Sequence, residues 1–399
     1  MYHPSRLNLL GICITALCLI SVASAQKYAI IHLTLPGGTT SAGLSINDHG
    51  QVTGYSDTAT SGGSRHAFLY SKGTVKDLSS LFGSTDSSAV GINILGHIVV
   101  VSNDTSYLYR NGRVTNLNLV GASAINAHDQ VVGSSGLFGW IFSGGQLTKI
   151  PMLATEPAVP HSINTFGQVT GEYRALFTPT QFWKPFLYRH GKVTVIDPMP
   201  GNVGSVASAI NDWGQIAGYG VGPLHHAFIY SHGAYVDIGT LPGGTYSEAY
   251  GINNFGHVVG MCDGHACLYD GKTMVDLNTL IPAGAPWTLT AANAINDFGQ
   301  ITGQGQFNGN SQAFLLTPLH DLASLVRQVQ SENLDSAVTS SLIDRLKNAA
   351  NNGKGAVSCS GLDEFASEVR ARTGSDIAAS QAKFLLSMTN EVRQSEPCQ

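Results

Sequence analysis

Residues 210–218 read Ile-Asn-Asp-Trp-Gly-Gln-Ile-Ala-Gly, and residues 46–54 repeat the pattern as Ile-Asn-Asp-His-Gly-Gln-Val-Thr-Gly. An Asn or Asp opens a tight turn by bonding its own backbone, and glycine takes the left-handed position that completes the turn. The alternation of apolar and polar residues after the turn is typical of a strand. The pattern therefore predicts a β-hairpin, and it is architectural rather than catalytic.

The Ile-Asn pair recurs along the chain at intervals of 33 to 47 residues, which indicates a repeat protein. The pairs are Ile46-Asn47, Ile92-Asn93, Ile125-Asn126, Ile163-Asn164, Ile210-Asn211, Ile252-Asn253 and Ile295-Asn296. In the third unit Asp129 stands where the other units have the turn glycine. Asp tolerates the left-handed conformation less well than glycine does.

Each hairpin is followed by a second apolar run, a glycine turn and a further run, so each unit contains four short strands. The second run is clearest at His66-Ala67-Phe68, His226-Ala227-Phe228 and His265-Ala266-Cys267. Four strands repeated about every 40 residues are typical of a propeller blade. We therefore expect a mainly β fold, a seven-bladed β-propeller.

The two ends of the repeat array complement each other. Residues 28–35 and the turn after them match the fourth strand and exit turn at residues 235–245, whereas the seventh unit stops after its third strand, residues 312–316. An N-terminal strand beside residues 313–316 would close the ring and remove an exposed strand edge. An open β-solenoid is the alternative, but the complementary missing strands favour a closed ring spanning residues 26–318.

Residues 1–25 are predicted to be a signal peptide. Arg6 precedes an apolar run over residues 9–22, and Ala23-Ser24-Ala25 is a small-residue cleavage site. The run is too short for a spanning helix, so we expect a secreted or periplasmic protein with no membrane span after cleavage. A net charge of −5 argues against nucleic acid as a partner.

Four cysteines remain after the signal segment. Their spacing favours two disulfides, Cys262–Cys267 across a hairpin and Cys359–Cys398 across a helical segment. A zinc site is the alternative, but the usual Cys-x-x-Cys spacing and suitably spaced histidines are missing. We expect no metal and no cofactor.

Residues 28–318 resemble the HAF-repeat family of secreted bacterial proteins, because both the Ile-Asn-Asp-x-Gly-Gln and the His-Ala-Phe elements recur. Departures are Cys267 for Phe in the sixth unit, Trp140 in the third, and Val100 in place of the second-strand glycine in the second. The resemblance implies export and a repeat architecture, and it implies no known activity.

In residues 319–399 the sequence pattern changes, because apolar residues now recur at helical spacing. This segment resembles the FIMAH domain, a small helical module of secreted bacterial proteins. The matching residues are Leu322, Leu325, Val326, Leu342, Leu346, Leu362, Phe365, Thr373, Gly374 and Ile377. We expect a small all-α domain forming a self-contained four-helix cap, with Ser360 and Asp363 as a capping box for one helix.

The sequence contains no nucleophile elbow, phosphate-binding loop or calcium loop. The repeated Asp48, Asp212 and Asp297 are interpreted as structural residues of the turns. The histidines of the His-Ala-Phe runs occupy one repeat position on different blades, so hydrogen bonding is favoured over a shared metal ion.

The loops between second and third strands vary most, and they should lie together on the face opposite the Asn-turns. Loops on a rigid ring commonly bind partners, and aromatic rings offer flat contact area for sugars or peptides. The candidate ligand-binding residues are Tyr55, Tyr173, Phe177, Phe182, Trp183, Tyr219 and His225. Part of this set is expected only to cover blade edges. The favoured function is a non-enzymatic binding or scaffolding module for an extracellular glycan or protein; the alternative is a glycan-active hydrolase or lyase.

The residue before the turn glycine is aromatic in four consecutive units: Phe166, Trp213, Phe255 and Phe298. The chain leaves the seventh unit on the face that carries these turns. Such an apolar arc would be a contact surface, so we expect the helical domain to dock there. The alternative is that each ring folds back onto its own hairpin and the helices swing on a tether.

Overall fold

The computed structural model describes residues 27–83, 86–151, 157–174, 183–319, 322–332, 334–350 and 357–395. The β-rich part forms seven four-stranded antiparallel sheets, the blades of a β-propeller. In blades one to six the strands are paired in chain order, so the first strand of each blade is innermost.

The first four blades have the following strands. Blade one contains β2 (Ser41–Ile46), β3 (Val52–Ser56), β4 (His66–Ser71) and β5 (Thr74–Asp77). Blade two contains β6 (Ser87–Ile92), β7 (Ile98–Ser102), β8 (Thr105–Arg110) and β9 (Arg113–Asn116). Blade three contains β10 (Gly121–Ile125), β11 (Val131–Ser135), β12 (Phe138–Ser143) and β13 (Gln146–Lys149). Blade four contains β14 (Ala158–Ile163), β15 (Val169–Arg174), β16 (Trp183–Arg189) and β17 (Lys192–Val195).

The remaining blades complete the ring. Blade five contains β18 (Gly204–Ile210), β19 (Ile216–Val221), β20 (Ala227–Ser231) and β21 (Ala234–Gly239). Blade six contains β22 (Ser247–Ile252), β23 (Val258–Cys262), β24 (His265–Tyr269) and β25 (Met274–Asp276). Blade seven contains β26 (Trp287–Ile295), β27 (Ile301–Phe307), β28 (Asn310–Pro318) and, as its outer strand, β1 (Tyr28–Leu33).

The predicted closure of the ring by the N-terminal strand is confirmed. Strand β1 pairs antiparallel with β28, with Leu33 opposite Ala313 and Ile30 opposite Leu316. The pairing supplies the fourth strand that the seventh repeat lacks, so the edge of β28 is covered.

The core lies between neighbouring blades. The phenylalanine of the third strand is fully buried at Phe68, Phe186, Phe228 and Phe314. Around Phe68, residues from blade one pack with Ala313 and Leu315 of blade seven. Burying one such ring stabilises the fold by about 1.5–3 kcal/mol, so the repeated aromatic position joins each blade to the next.

After Pro318 the chain forms helices α1 (Leu322–Ser331), α2 (Ser336–Ala350), α3 (Cys359–Arg372) and α4 (Ala379–Ser395). Apolar residues from all four share one core, as the helical spacing predicted. The predicted capping box is wrong in position. Ser358 is the N-cap of α3, and its Oγ accepts a hydrogen bond from the backbone N–H of Gly361. Ser358 has the extended backbone that a cap needs, whereas Ser360 is already helical.

The Cys262–Cys267 disulfide is present, with the two Cα atoms 5.9 Å apart at the β23–β24 turn. Cys398 lies outside the described residues, so the Cys359–Cys398 bridge stays a prediction.

Candidate functional site

The Asn-turns form one end of the axial channel, where the seven repeated asparagines are joined in a closed ring. Each Asn Nδ2 donates a hydrogen bond to the backbone carbonyl of the next asparagine, and Asn296 closes the circle by donating to Asn47 at 3.0 Å. The other donor–acceptor pairs are Asn47–Asn93, Asn93–Asn126, Asn126–Asn164, Asn164–Asn211, Asn211–Asn253 and Asn253–Asn296. The sequence predicted each turn, but the bond between blades requires the closed ring.

The third unit departs from the turn pattern and gains contacts in exchange. Asp129 has φ 59°, so it adopts the left-handed conformation that glycine has in the other turns. Its carboxylate accepts hydrogen bonds from Asn93 Nδ2 at 2.9 Å, from His97 Nδ1 at 2.7 Å and from Arg110 at 3.2 Å. These charge-assisted bonds between blades offset the cost of the backbone conformation.

A cavity of about 380 Å³ lies on the Asn-turn side of the channel. The repeated aspartates lie at its mouth and also have hydrogen-bonding roles in the ring, since Asp48 accepts from the N–H of Asp297 at 3.1 Å. Burial, and then the nearby charge of Asp48, raise the pKa of Asp297. Within the described residues, no three His, Cys, Asp or Glu side chains are grouped as metal ligands would be.

The opposite end of the channel is lined by residues that do not repeat. Every innermost strand has a shift in register near its middle, where one residue has no partner on the second strand, and β26 has a further shift at Thr290. A bulge of this kind re-aims the side chain of the unpaired residue. The seven residues all line an axial cavity of about 260 Å³: Leu44, Val90, Ser123, His161, Ser208, Tyr250 and Asn293.

In six blades a glycine near the middle of the second strand faces this bulge, whereas blade two has the bulge with Val100 at that position. A Cβ at Gly260 would lie 1.8 Å from the carbonyl oxygen of Glu248, and a Cβ at Gly218 would lie 2.0 Å from that of Val206. The bulged inner strand therefore approaches too closely for any side chain at these positions. The second glycine of the repeated motif thus shapes the channel.

Blades five and six place an aromatic stack beside this cavity. The ring of His225 stacks on Tyr246, with centroids 4.2 Å apart, and on Tyr219, at 5.4 Å. His225 Nε2 lies 2.9 Å from Glu248 Oε1. The hydroxyls of Tyr246 and Tyr250 both donate to the Glu248 carboxylate. Glu248 is only 12% exposed, and three neighbouring groups satisfy its charge.

Carboxylates dominate the electrostatics of this cluster and act on the tyrosine hydroxyls. Burial, and then the charges of Glu248 and Glu172, raise the pKa of Tyr219 to about 12. Burial and the hydrogen bond to Glu248 raise the pKa of Tyr250 further. The tyrosines therefore keep their hydroxyl protons at neutral pH and serve as hydrogen-bond donors.

Blade four adds a second carboxylate to the same end of the channel. Glu172 on β15 is only 14% exposed, and its Oε1 lies 3.7 Å from Nε2 of His161 on β14. That separation is beyond a hydrogen bond, and His161 Nε2 is buried without one. Sequence reasoning missed both residues, and it also missed Tyr246, Glu248 and Tyr250. The non-repeating character of these positions within the innermost strands was the available signal.

The seven predicted ligand-binding residues separate into groups. Tyr219 and His225 lie together in the aromatic stack. Tyr55 lies across the same face, where the Arg65 guanidinium is 5.6 Å from its ring centroid in a cavity that shares Leu44 and Val90 with the channel.

Among the other aromatic candidates, Tyr173 does not join this cluster. Tyr173 is only 7% exposed and packs in the core between blades three and four, so its assignment to a ligand surface is wrong. Trp183 begins β16 and is half-buried. Phe177 and Phe182 lie outside the described residues.

The histidines of the His-Ala-Phe runs have a common structural partner. His66, His226 and His265 each place Nδ1 within 3.0 Å of an aspartate on the outer strand of the same blade. The partners are Asp77, Asp237 and Asp276. The repeated pair joins the third strand to the fourth, which agrees with the hydrogen-bonding interpretation.

On the Asn-turn face, two of the four arc residues contact the helical domain. The ring of Phe384 on α4 lies between Phe255, at a centroid distance of 5.2 Å, and Phe298, at 5.8 Å. Trp213 is 75% exposed and donates from Nε1 to the carbonyl of Asn254 on the next blade, and Phe166 is 73% exposed. The docking contact thus involves blades six and seven, whereas Trp213 contacts the turn of the neighbouring blade.

Comparison with known proteins assigns the chain to no family. No protein-family model and no curated protein matches the chain. Among solved structures, virginiamycin B lyase from Staphylococcus aureus is 9% identical, with 73% of this chain and 99% of that chain covered at a TM-score of 0.49. The β-propeller domain of the Trilobed protease from Pyrococcus furiosus is 10% identical, with 74% and 99% covered at 0.44.

A third similar structure is PorZ, a bacterial surface component of the type-IX secretion system of Porphyromonas gingivalis. It is 11% identical, with 68% of this chain and 46% of that chain covered at a TM-score of 0.40. None of the described helices is long and apolar enough to cross a bilayer.

Proposed function

We propose that the protein is an exported, non-enzymatic binding module whose ligand site is the variable-loop end of the axial channel. The observation that carries this proposal is the ring of bulge residues, where six residue types occupy seven positions while the surrounding scaffold repeats. A repeating position serves the fold, whereas convergent non-repeating polar groups in a concave site are typical of ligand recognition.

The chemistry of the site favours a neutral, hydroxyl-rich ligand such as a glycan. The stack of Tyr219, His225 and Tyr246 offers flat apolar area, and the carboxylate of Glu172 offers hydrogen-bond acceptors. The two nearly buried carboxylates disfavour an anionic ligand. The predicted signal peptide and the resemblance to secreted HAF-repeat proteins support an exported location.

A hydrolase or lyase is the second candidate, because two nearly buried carboxylates lie near Tyr219. Binding is favoured over catalysis because Glu248, the carboxylate next to the aromatic stack, is already hydrogen-bonded by three side chains. A general acid or base needs access to the proton of a substrate.

The test is a glycan and peptide array probed with the mature protein, followed by the same array with Tyr219→Ala. Phe166→Ala, an exposed aromatic on the opposite face, is the matched control. We expect glycan signals that Tyr219→Ala reduces at least tenfold and Phe166→Ala leaves unchanged, with circular dichroism verifying that both variants fold. Equal effects of the two variants would contradict the proposed site. Release of reducing ends from bound glycans would favour the enzyme.

A further inference from the structure

His161 and Glu172 form an incomplete pair at the channel mouth. His161 Nε2 has no hydrogen bond although it is buried, and the nearest carboxylate oxygen, Glu172 Oε1, is 3.7 Å away. Glu172 forms no hydrogen bond within the described part of the chain. A buried polar group without a partner costs about 1–3 kcal/mol, so this pair would be stabilised by a group that the described residues do not supply.

One chemical group satisfies both residues together. A hydroxyl can donate its proton to the carboxylate of Glu172 while its oxygen accepts from the N–H of His161. A carboxylate can only accept and would repel Glu172, and an ammonium group would fit only the His161 tautomer whose Nε2 carries no proton. With Nε2 protonated, the gap between the two side chains favours a group that both donates and accepts, such as an alcohol.

The surroundings limit how much of the ligand can enter. The cavity of about 260 Å³ is smaller than the ~300–1,000 Å³ typical of sites for drug-sized ligands. Below the bulge residues the channel is lined by the repeated isoleucines, among them Ile163, Ile210 and Ile252, which offer no hydrogen bonds. A hydroxyl-rich chain would therefore find no side-chain hydrogen-bonding groups in this part of the channel.

The opposite wall completes the fit to a single sugar ring. Leu44 and Val90 of blades one and two supply apolar contact, while Ser208 of blade five and Asn293 of blade seven add polar groups to the lining. Apolar contact on one side and polar groups on the other match a sugar ring, which has an apolar C–H face and hydroxyls at its edge.

We infer that the site binds the terminal sugar residue of a glycan end-on, with one hydroxyl bridging His161 and Glu172. The inference rests on the proposed function, since it assigns the ligand class and orientation of that same site. The aromatic stack of Tyr219, His225 and Tyr246 would then contact the second residue at the rim.

The experiment uses the full mature chain and simple probes: the methyl glycosides of glucose, galactose, mannose and N-acetylglucosamine, together with their deoxy counterparts. Saturation-transfer NMR reports binding of each probe, and titration gives the affinity. We expect at least one methyl glycoside to bind, and one of its deoxy forms to bind at least tenfold more weakly.

The variants separate the two proposals. Glu172→Gln should weaken binding of the methyl glycoside at least tenfold, because it replaces a charged acceptor with a neutral and weaker one, while Glu364→Gln on the exposed surface of α3 should leave binding unchanged. Binding that is lost in Tyr219→Ala but kept in Glu172→Gln would overturn the end-on inference and preserve the proposed site. Binding only to internal residues of long glycans would also overturn it. The absence of any glycan binding would overturn both proposals.

Discussion

Replacing one member of the asparagine ring should destabilise the propeller far more than its small volume suggests. Asn211 is buried, and its side chain makes four hydrogen bonds. Nδ2 donates to the carbonyl of Asn253 at 3.0 Å and to Gln215 Oε1 at 2.8 Å. Oδ1 accepts from the backbone N–H groups of Trp213 at 3.1 Å and Gln215 at 3.0 Å.

The magnitude follows from the groups that Asn211→Ala leaves behind. Two backbone N–H groups and one carbonyl lose their partners, and each costs about 1–3 kcal/mol when buried. The turn borders solvent and water can reach part of it, so the lower end of that range applies, for a total of about 3 kcal/mol. With an unfolding entropy of roughly 2.1 cal/mol/K per residue over the propeller, this corresponds to a Tm fall of about 5 °C.

Calorimetry of the parent and two variants tests this estimate. Gln215→Ala is the matched control, because it removes only the side-chain acceptor of Asn211 Nδ2 and keeps the bond to the next blade. We expect Gln215→Ala to lower the stability by about 1 kcal/mol. If Asn211→Ala is no more destabilising than Gln215→Ala, the ring of bonds between blades does not stabilise the closed fold.

Three further outcomes are expected. Replacing Cys262 and Cys267 by Ala should lower stability to urea by about 2 kcal/mol, since the bridge closes a short loop; no change in midpoint would contradict this. Phe384→Ser should increase hydrogen exchange in α4, whereas Trp213→Ser should not; equal exchange in both would refute docking through Phe384. Because burial raises the pKa of Asp297, the folded state binds the extra proton, and this group's contribution to stability falls as pH rises from its unfolded to its folded pKa. Asp297→Asn should flatten that part of the urea-midpoint profile, and an unchanged slope would show that Asp297 is not its source.

The sequence was sufficient to predict the architecture because each blade is specified by short-range patterns within one repeat. A turn glycine and an alternating strand recur in nearly every unit, and a buried third-strand Phe recurs in four, so the number of blades could be counted. The missing strand at each end of the array then predicted the pairing of β1 with β28. The Cys262–Cys267 bridge followed from a hairpin of a few residues.

The candidate site was only partly predictable, and Tyr173 shows why. Aromatic residues near variable loops were chosen by type, but successive strand residues face opposite sides of a sheet. Tyr173 therefore turns into the core between blades, while its neighbour Glu172 faces the channel mouth beside His161. Tyr219 and His225 were found because Tyr219 lies on β19 and His225 lies in the loop that joins β19 to β20.

The sequence by itself determined the blade, its repetition and its closure, because those depend on contacts within one hairpin or on the matching ends of the array. Only the tertiary structure decided which side chains meet on the axis. Each inner strand carries a bulge that shifts the alternation by one residue, and this shift turns His161 and Tyr250 into the channel. In six blades a glycine on the adjacent strand lets the bulged backbone approach closely, and the channel exists because the closed ring brings distant blades around one axis.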